Sequence, residues 1–452
     1  MNIHTNHASD TNHPQLFHIF LRYTAFSVLG MLGLSGYILA DTFFISQGLG
    51  AGGLAALNLA IPVYNFIHGI GLMLGMGAAT KYSIYLSHGD RRHADVIFTN
   101  TLYLAAAFAI AFMTAGIFFS ELITRLLGAD EEIFRMTNTY LKVLLLFAPA
   151  FILNQLLIPF VRNDGAPQLS MAAMLGGSMS NIVLDYIFIF PMHLGIFGAV
   201  FATGLSPVIS MSILSYHIVT KRSHFRIIRT KLHGDLTMQT FSLGFPSLIA
   251  QLSSGIVMIA FNMMILKLAG NIGLAAYGVV ANLALVMIAV FSGIEQGIQP
   301  LFSQFYGSGE WGKVLRVLRY AMITMVLIAA GIYAVIFLFA EPIADIFNNE
   351  QNPLLREIAA YGLRLYFTAG AFAGFNTILS VFFTSTENAL PAHILSLLRG
   401  LVIILPMVFL FASLWGITGV WMAYPAAEFC VAAISLFLYR RNAIPPGGLY
   451  AS

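Results

Sequence analysis

The chain has 452 residues, of which 58% are hydrophobic and only 9% are charged, and its formal net charge is +3. Soluble domains carry about 25% charged residues, so this composition excludes a soluble globular protein, and the basic residues are too scattered to form a nucleic-acid-binding surface. Apolar runs recur along nearly the whole chain, and most reach the roughly 20 residues that a helix needs to cross a bilayer. We therefore expect an all-α integral membrane protein in contact with the lipid bilayer.

Clusters of charged residues, Gly and Pro separate the apolar runs and predict twelve transmembrane helices. Their approximate spans are 16–46, 53–86, 95–119, 138–162, 168–191, 195–220, 238–268, 273–305, 314–340, 356–385, 390–413 and 416–439. The polar N-terminal segment lacks the charged, apolar and small-residue regions of a signal peptide. We divide the chain into a cytoplasmic tail, a six-helix lobe, a basic cytoplasmic linker, a second six-helix lobe and a second tail, at 1–15, 16–221, 222–237, 238–440 and 441–452.

Basic residues mark one side of the predicted bundle. The even-numbered connections and the C-terminal tail hold Arg91, Arg92, Arg162, Lys221, Arg222, Arg226, Arg229, Lys231, Lys313, Arg316, Arg319, Arg440 and Arg441. The opposite side has fewer basic residues and more acidic ones, such as Asp130, Glu131, Glu132, Glu341 and Glu350. Because cytoplasmic loops carry an excess of Lys and Arg, we expect a multi-pass protein of the cell (inner) membrane with both termini in the cytoplasm.

The two halves of the chain repeat each other. At a constant offset of 220 residues, Gly50, Gly53, Leu54, Ala55, Ala56, Gly77 and Gly89 correspond to Gly270, Gly273, Leu274, Ala275, Ala276, Gly297 and Gly309. Further on, Pro167 corresponds to Pro391, and Gly195 and Gly198 to Gly416 and Gly419. Because each repeat has an even number of helices, the two lobes are parallel repeats around a central cleft, as in transporters whose substrate site lies between two lobes.

Two acids and two neutral polar residues are predicted to lie at one depth of the membrane. Helical rise places Asp41, Asp185 and Thr203 roughly 9–12 Å below the outer surface, on predicted helices 1, 5 and 6. Asn181 lies one turn before Asp185 on the same helix face. Intramembrane carboxylates indicate function, and oxygen ligands suit Na⁺ while a buried carboxylate suits a proton. A structural polar network is the alternative, although no basic residue lies near these acids in the sequence.

Three other ionisable residues interrupt the apolar runs. Glu295 is a candidate for holding a cationic substrate or a second proton, and a hydrogen bond to a neighbouring Gln is the structural alternative. For Glu428 a structural role is favoured, as it is for Arg399, through pairing with an acid or neutralising helix ends. The segment 307–314 comes close to a phosphate-binding loop but lacks the Ser or Thr after its Lys and a preceding strand. We therefore expect no nucleotide, and the absence of catalytic motifs argues against an enzyme.

Five segments carry a likeness to a known family. They are 31–41 (MLGLSGYILAD), 53–62 (GLAALNLAIP), 181–185 (NIVLD), 195–204 (GIFGAVFATG) and 296–300 (QGIQP). Together they resemble the multidrug and toxic compound extrusion (MATE) transporters, in their prokaryotic branches. The likeness covers nearly the whole chain, and the block joining helices 5 and 6 is its most specific part.

The resemblance implies two six-helix lobes around a V-shaped cleft and Na⁺- or H⁺-coupled export of organic cations, without a cofactor. It also implies a cation site formed by Asp41, Asn181, Asp185 and Thr203, with Tyr37 nearby. We expect a monomer that binds small organic cations at Tyr37 and Glu295, and the same four cation-site residues are the possible Na⁺ ligands.

Helix 1 departs from the family pattern. Phe26 stands where members commonly have a proline, although the corresponding Pro246 is present in helix 7. A bend of helix 1 would then use Gly30, Gly33 or Gly36, and packing alone is the other interpretation of these glycines.

Three functions follow as hypotheses. The first is a secondary antiporter that exports amphipathic cations by alternating access. The second is a flippase for a lipid-linked saccharide, which requires a cleft lined with Arg and Lys. The third is an intramembrane enzyme, for which the sequence offers no nucleophile or metal cluster.

Overall fold

A computed structural model describes residues 13–348 and 351–442, and over these ranges the chain is helical without a strand. The predictions for the terminal tails therefore lie largely outside the described residues. The α-helices are α1 (His13–Ser87), α2 (Arg91–Phe118), α3 (Ser120–Leu126), α4 (Phe134–Leu146), α5 (Ala148–Asn163), α6 (Pro167–Ile189), α7 (Gly195–Val219), α8 (Gly234–Gly307), α9 (Trp311–Ile346), α10 (Pro353–Tyr366), α11 (Gly370–Ser385), α12 (Ala389–Leu397) and α13 (Ile404–Asn442).

Three of these helices contain a glycine that breaks the helix. Gly50 in α1, Gly270 in α8 and Gly416 in α13 have φ values of 67°, 60° and 59°, a left-handed conformation that glycine adopts without steric cost. Each break falls where the sequence predicts a boundary between two spans. In the described residues, eight helices, or nine if bent α4 and α5 form one span, are long and apolar enough to cross a membrane. The count of twelve stays a prediction.

The internal repeat is visible in the backbone. Gly50 and Gly270 share their positive φ, as do Gly89 and Gly309, with φ values of 79° and 72°. Because corresponding positions of the two halves turn in the same way, the two halves have the same local fold. The predicted pseudo-symmetric lobes thus correspond to α1–α7 and α8–α13.

Several helix ends differ from the predictions. The short helix α3 occupies a stretch predicted as a loop, and α4 and α5 are bent by 49° at one residue between them. A 3₁₀ turn at Phe367–Ala369 and a π-helical turn at Leu398–Val402 interrupt predicted helices 10 and 11. The predicted linker 222–237 ends earlier, because α8 begins at Gly234. None of these features has a strong signal in an apolar pattern.

The first helix of each lobe begins in the hydrophobic core of the other lobe. Leu16 and Phe20, at the start of α1, belong to the core of the C-terminal lobe, and Phe17 packs edge-on against Tyr320 at 5.4 Å between ring centroids. In the reciprocal contact, Leu236 at the start of α8 belongs to the core of the N-terminal lobe. These contacts lie at the end of the bundle that carries the connections 87–91, 163–167, 219–234 and 307–311, which we call the basic end.

The lobes also approach closely through glycines near the basic end. A Cβ on Gly77 would lie 2.1 Å from the backbone oxygen of Thr240, and a Cβ on the corresponding Gly297 would lie 2.7 Å from Cα of Thr24. Only glycine allows backbones to come this near. Because the same contact is made twice across the pseudo-symmetry axis, the lobes are closed against each other at this end.

The glycines of predicted helix 1 differ in their surroundings. A Cβ on Gly30 would lie 2.8 Å from Met174 Sδ, and one on Gly33 would lie 2.5 Å from Leu175 Cδ2, so both face α6. Gly36 has nothing within 4 Å. In this conformation the only non-helical residue inside α1 is Gly50. Two of the three glycines therefore serve packing, and bending of helix 1 in another state stays a prediction.

Candidate functional site

The two acids of the N-terminal lobe meet inside the helix bundle. Asp41 on α1 is 7% exposed and Asp185 on α6 is fully buried. Their carboxyl groups lie within hydrogen-bonding reach of each other, and the Oδ1 atom of each has no hydrogen-bond partner among the described residues. A carboxylate only accepts hydrogen bonds, so a bond between these two groups requires that one of them carries a proton.

Asn181 and Thr203 complete the cluster. With its amide oriented to satisfy both neighbours, Asn181 donates from its nitrogen to Asp185 Oδ2 at 3.0 Å and accepts at its oxygen from the backbone N–H of Thr203 at 3.3 Å. The Thr203 hydroxyl donates to the backbone oxygen of Ala199 at 3.1 Å, which leaves its lone pairs available. The structure thus brings together the four residues that the sequence singles out. Their oxygen atoms are the ligand type that hard cations prefer.

Small residues bring the supporting helices close enough to form this cluster. The backbone oxygen of Gly177 on α6 accepts from the Ser206 hydroxyl of α7 at 2.9 Å. On the other side of α6, Gly30 and Gly33 of α1 face Met174 and the residue after it. Small residues on both flanks of α6 let three helices present polar side chains to one point.

Aromatic hydroxyls surround the cluster. Tyr37, one turn before Asp41 on α1, shares a hydrogen bond with the Tyr64 hydroxyl at 2.8 Å. Tyr140 on α4 is buried, and its hydroxyl lies near the side chain of Thr203. Sequence reasoning missed Tyr64 and Tyr140, since nothing distinguishes them among 18 tyrosines in the chain.

His68 was also missed, and it connects the lobes. Its ring is buried and stacks on Tyr64, with 5.6 Å between centroids and 23° between planes. Its Nδ1 lies 2.9 Å from Nε2 of Gln251, on α8 of the C-terminal lobe. Its Nε2 contacts Gln155 of the N-terminal lobe. A lone histidine in an apolar span is a sequence signal that could have found it.

Glu295 lies apart from the N-terminal cluster. It is half-buried on α8, in the C-terminal lobe, and no hydrogen bond or ion pair involves it within 13–348 and 351–442. The positive charge of Arg399 acts on it through space. The structure therefore places this candidate substrate residue in the opposite lobe from the two acids.

Arg399 pairs with Glu428. Its Nε donates to Glu428 Oε1 at 2.6 Å and its Nη1 donates to Thr377 Oγ1 at 2.6 Å. Glu428 also accepts from Asn376 at 2.7 Å. Arg399 is thus already compensated by an acid of its own lobe, which leaves little positive charge for the pyrophosphate of a lipid-linked saccharide.

Polar contacts join the lobes at the basic end. Arg162, 1% exposed, donates to the backbone and side-chain oxygens of Gln296 at 2.9 and 2.8 Å. Asn163 donates to Gln299 at 2.8 Å. On the other side, Lys81 forms an ion pair with Glu387. We call these three pairs the basic-end interface.

The linker between the lobes docks on the N-terminal lobe through Asp164. This carboxylate accepts from the hydroxyl of Tyr82 at 2.6 Å and bonds ring nitrogens of His217 and His224 at 2.7 and 2.9 Å. Burial raises the pKa of Asp164, but the hydrogen bonds outweigh burial and hold that pKa below its ordinary value. Since Asp164 follows Arg162 and Asn163 directly, the linker and the basic-end interface are anchored to the same turn.

Comparisons with known proteins give one consistent result. A family model described as MatE matches residues 27–187 and 246–410, one segment in each lobe. The multidrug export protein MepA of Staphylococcus saprophyticus is 27% identical over 389 residues, which cover 85% of each chain. MepA of Staphylococcus aureus is 26% identical over 428 residues, which cover 94% of each chain.

Solved structures agree with the fold. One, described as the outward-facing conformation of a multidrug resistance MATE family transporter of the MOP superfamily, has a TM-score of 0.87 and 26% identity over 94% of this chain and 95% of its own. Another, a MOP superfamily transporter from Pyrococcus furiosus described as having a binding pocket of reverse polarity, has a TM-score of 0.86 and 25% identity over the same shares. These likenesses confirm the predicted all-α fold with two repeated lobes.

Proposed function

Because this chain belongs to the MatE family of transporters, we propose that it exports amphipathic organic cations and that binding of Na⁺ or H⁺ at Asp41 and Asp185 drives the export. It is a transporter and not an enzyme, and it works without a cofactor. The names of its relatives, multidrug export proteins, support a broad range of small-molecule substrates.

The buried acid pair is the observation that carries the proposal. Two carboxylates share one site, and no basic side chain of the described part of the chain is paired with them. A charge in the membrane interior is costly unless it is compensated, so this site is most stable when it holds a cation. A proton shared between Asp41 and Asp185 compensates one charge, and Na⁺ bound by their Oδ1 atoms with Thr203 and Asn181 compensates the same charge.

The closed basic end supports the direction of coupling. If basic loops face the cytoplasm, as the positive-inside rule predicts, the lobes are closed on the cytoplasmic side and the cation site faces outward. A cation entering from outside then meets Asp41 and Asp185 while the substrate leaves. Coupling requires only that the cation and the substrate stabilise different states of the lobes.

Glu295 and Tyr37 are the proposed substrate residues. Glu295 is a half-buried carboxylate without a hydrogen bond or ion pair in the described part of the chain, so a cationic substrate would compensate its charge. Tyr37 offers an aromatic ring next to the cation site, and aromatic faces attract organic cations. The proposed protein is a monomer of the cell (inner) membrane with both termini in the cytoplasm.

Transport by reconstituted protein tests the proposal. Proteoliposomes loaded with a fluorescent organic cation are given a Na⁺ gradient or a pH gradient separately, and Asp41→Asn and Asp185→Asn are compared with wild type. We expect one gradient to drive export in wild type and at least a tenfold loss in each variant. Glu132→Gln, an exposed acid on the predicted outer side, is the matched control and should keep wild-type rates.

Two outcomes would contradict the proposal. Gradient-driven export that is undiminished in both Asp variants would remove the acid pair from coupling. For the substrate role, Glu295→Gln should weaken export of cations while sparing neutral substrates, and equal loss for both would exclude it.

A further inference from the structure

His68 occupies a place where the two lobes touch. The residue after it is Gly69, whose Cβ would lie 2.9 Å from Leu248 Cδ1 and 3.3 Å from Gln251 Cβ of the C-terminal lobe. This close approach lets the imidazole reach Gln251 directly, at 2.9 Å. At the repeat offset of 220, His68 corresponds to Ile288, so the C-terminal lobe has no equivalent of this bridge.

The two glutamines that contact the His68 ring can pair with either neutral tautomer of the imidazole. The amide nitrogen of Gln155 lies near both ring nitrogens and closest to Nε2, and the amide nitrogen of Gln251 lies near Nδ1. A neutral imidazole donates from one nitrogen and accepts at the other, and an amide offers both a donor and an acceptor. Rotation of either amide therefore satisfies either tautomer, and the bridge between lobes holds while both amides stay within reach.

A short chain of side chains joins this bridge to the acid pair. Tyr37 lies one turn before Asp41 on the same helix face, and its hydroxyl bonds that of Tyr64 at 2.8 Å. Tyr64 stacks on His68, whose far side contacts the other lobe. These contacts form a continuous chain of side chains from the helix that carries Asp41 to the lobe interface.

We propose that His68 is a positioning residue that links cation occupancy of the acid pair to the contact between the lobes. The inference rests on the proposed cation coupling at Asp41 and Asp185 and adds the route from that site to the C-terminal lobe. Its action depends on hydrogen bonds to Gln155 and Gln251, since packing alone would be served equally by an apolar side chain. Opening of the lobes at the basic end breaks the bond to Gln251.

Distances between labelled lobes test the role of His68. Spin labels at Arg92 and Gly312, which are exposed near the basic end of the two lobes, are placed in the full chain with Cys430→Ala and reconstituted in lipid. The distance distribution is recorded with Na⁺ and without it, and in acidic and alkaline buffer. In wild type the cation should shift the distribution, and in His68→Leu we expect at least a fivefold smaller shift.

Two further variants separate hydrogen bonding from packing. His68→Gln retains polar atoms that can reach both amides and should recover at least half of the wild-type shift, whereas the apolar His68→Leu should not. His393→Leu is the matched control, because His393 bonds the backbone oxygen of Ser242 within the C-terminal lobe, and it should respond like wild type.

The possible results distinguish this inference from the proposed function. A full shift in His68→Leu would overturn the role of His68 while leaving the acid pair in place. A shift that is lost in His68→Gln as completely as in His68→Leu would overturn the hydrogen-bond bridge. A shift that persists in Asp41→Asn would overturn the proposed cation site, and the inference with it.

Discussion

Each lobe buries a polar cluster to which its last two spans contribute, and the two clusters differ in charge. In the N-terminal lobe, Asp185 on α6 meets Asp41, with no basic partner among the side chains in contact. In the C-terminal lobe, Glu428 on α13 is bonded to Arg399 at 2.6 Å. Of the two clusters, only the C-terminal one contains the positive charge that its acid requires.

The difference separates a structural cluster from a functional one. The carboxylate of Glu428 is satisfied by an arginine and by the amide of Asn376, so it needs no ligand. Asp41 and Asp185 each leave an oxygen without a partner. Removing one member of a buried ion pair destabilises the folded protein, because the other charge is left unpaired. Removing one charge from an uncompensated acid pair instead removes a repulsion.

The largest predicted effect comes from breaking the compensated cluster. Arg399→Met leaves Glu428 as an unpaired buried charge, and removal of one partner from a buried pair costs about 3–5 kcal/mol. We expect a strong drop in the thermal unfolding temperature of the detergent-purified protein, with recovery in the double variant that also carries Glu428→Met. Asp41→Asn should unfold at or above the wild-type temperature, and a drop as large as that of Arg399→Met would show that the N-terminal cluster is structural too.

A smaller effect is expected at the basic-end interface, where a buried contact of Arg162 can be compared with a more exposed ion pair of Lys81. Arg162→Ala removes hydrogen bonds of a class worth about 1.5–3 kcal/mol and should favour separation of the lobes, but it leaves no buried charge unpaired because its partner Gln296 is neutral. Lys81→Ala breaks a more exposed ion pair with Glu387, worth about 1 kcal/mol or less, and should change little. The spin-label distance across the basic end measures both, and a larger change for Lys81→Ala would reverse the assignment of the stronger contact.

The smallest effect is expected in predicted helix 1, which carries Asp41. Gly36→Ala meets no neighbour within 4 Å, so it should stabilise the helix by up to about 1 kcal/mol while leaving the folded state unchanged. Gly33→Ala forces Leu175 to move and serves as the packing control. Export slowed in Gly36→Ala, at unchanged folding, would indicate bending at this glycine, and normal export would indicate that helix 1 moves as a rigid body.

The sequence predicts the fold well because the bilayer imposes length and polarity on every span. Apolar runs, basic loops and the repeat at Gly50 and Gly270 are enough for the two helical lobes. The kink between α4 and α5 falls just before Pro149, a proline signal that an analysis of apolar runs alone passes over. The π-helical turn at 398–402 escapes prediction because the apolar pattern does not change there.

Some residues of the candidate site can be predicted from the sequence, and others cannot. Asp41 and Asp185 stand out because acids are rare in apolar runs, and Asn181 and Thr203 follow from depth and spacing. The place of Tyr140 depends on contacts between distant helices, which a single sequence does not show. His68 stands out as a histidine in an apolar span, but its partners Gln155 and Gln251 do not. The role of the four residues in cation coupling stays a prediction.

Cation binding by the purified protein tests the central claim most directly. Radioactive Na⁺ bound to the protein, and protons taken up by it with a pH-indicator dye, are measured in wild type, Asp41→Asn, Asp185→Asn and Glu295→Gln. We expect wild type and Glu295→Gln to bind one cation per molecule, with Na⁺ and H⁺ excluding each other where both bind, and both Asp variants to lose this binding. Undiminished cation binding in Asp41→Asn and Asp185→Asn would contradict the account.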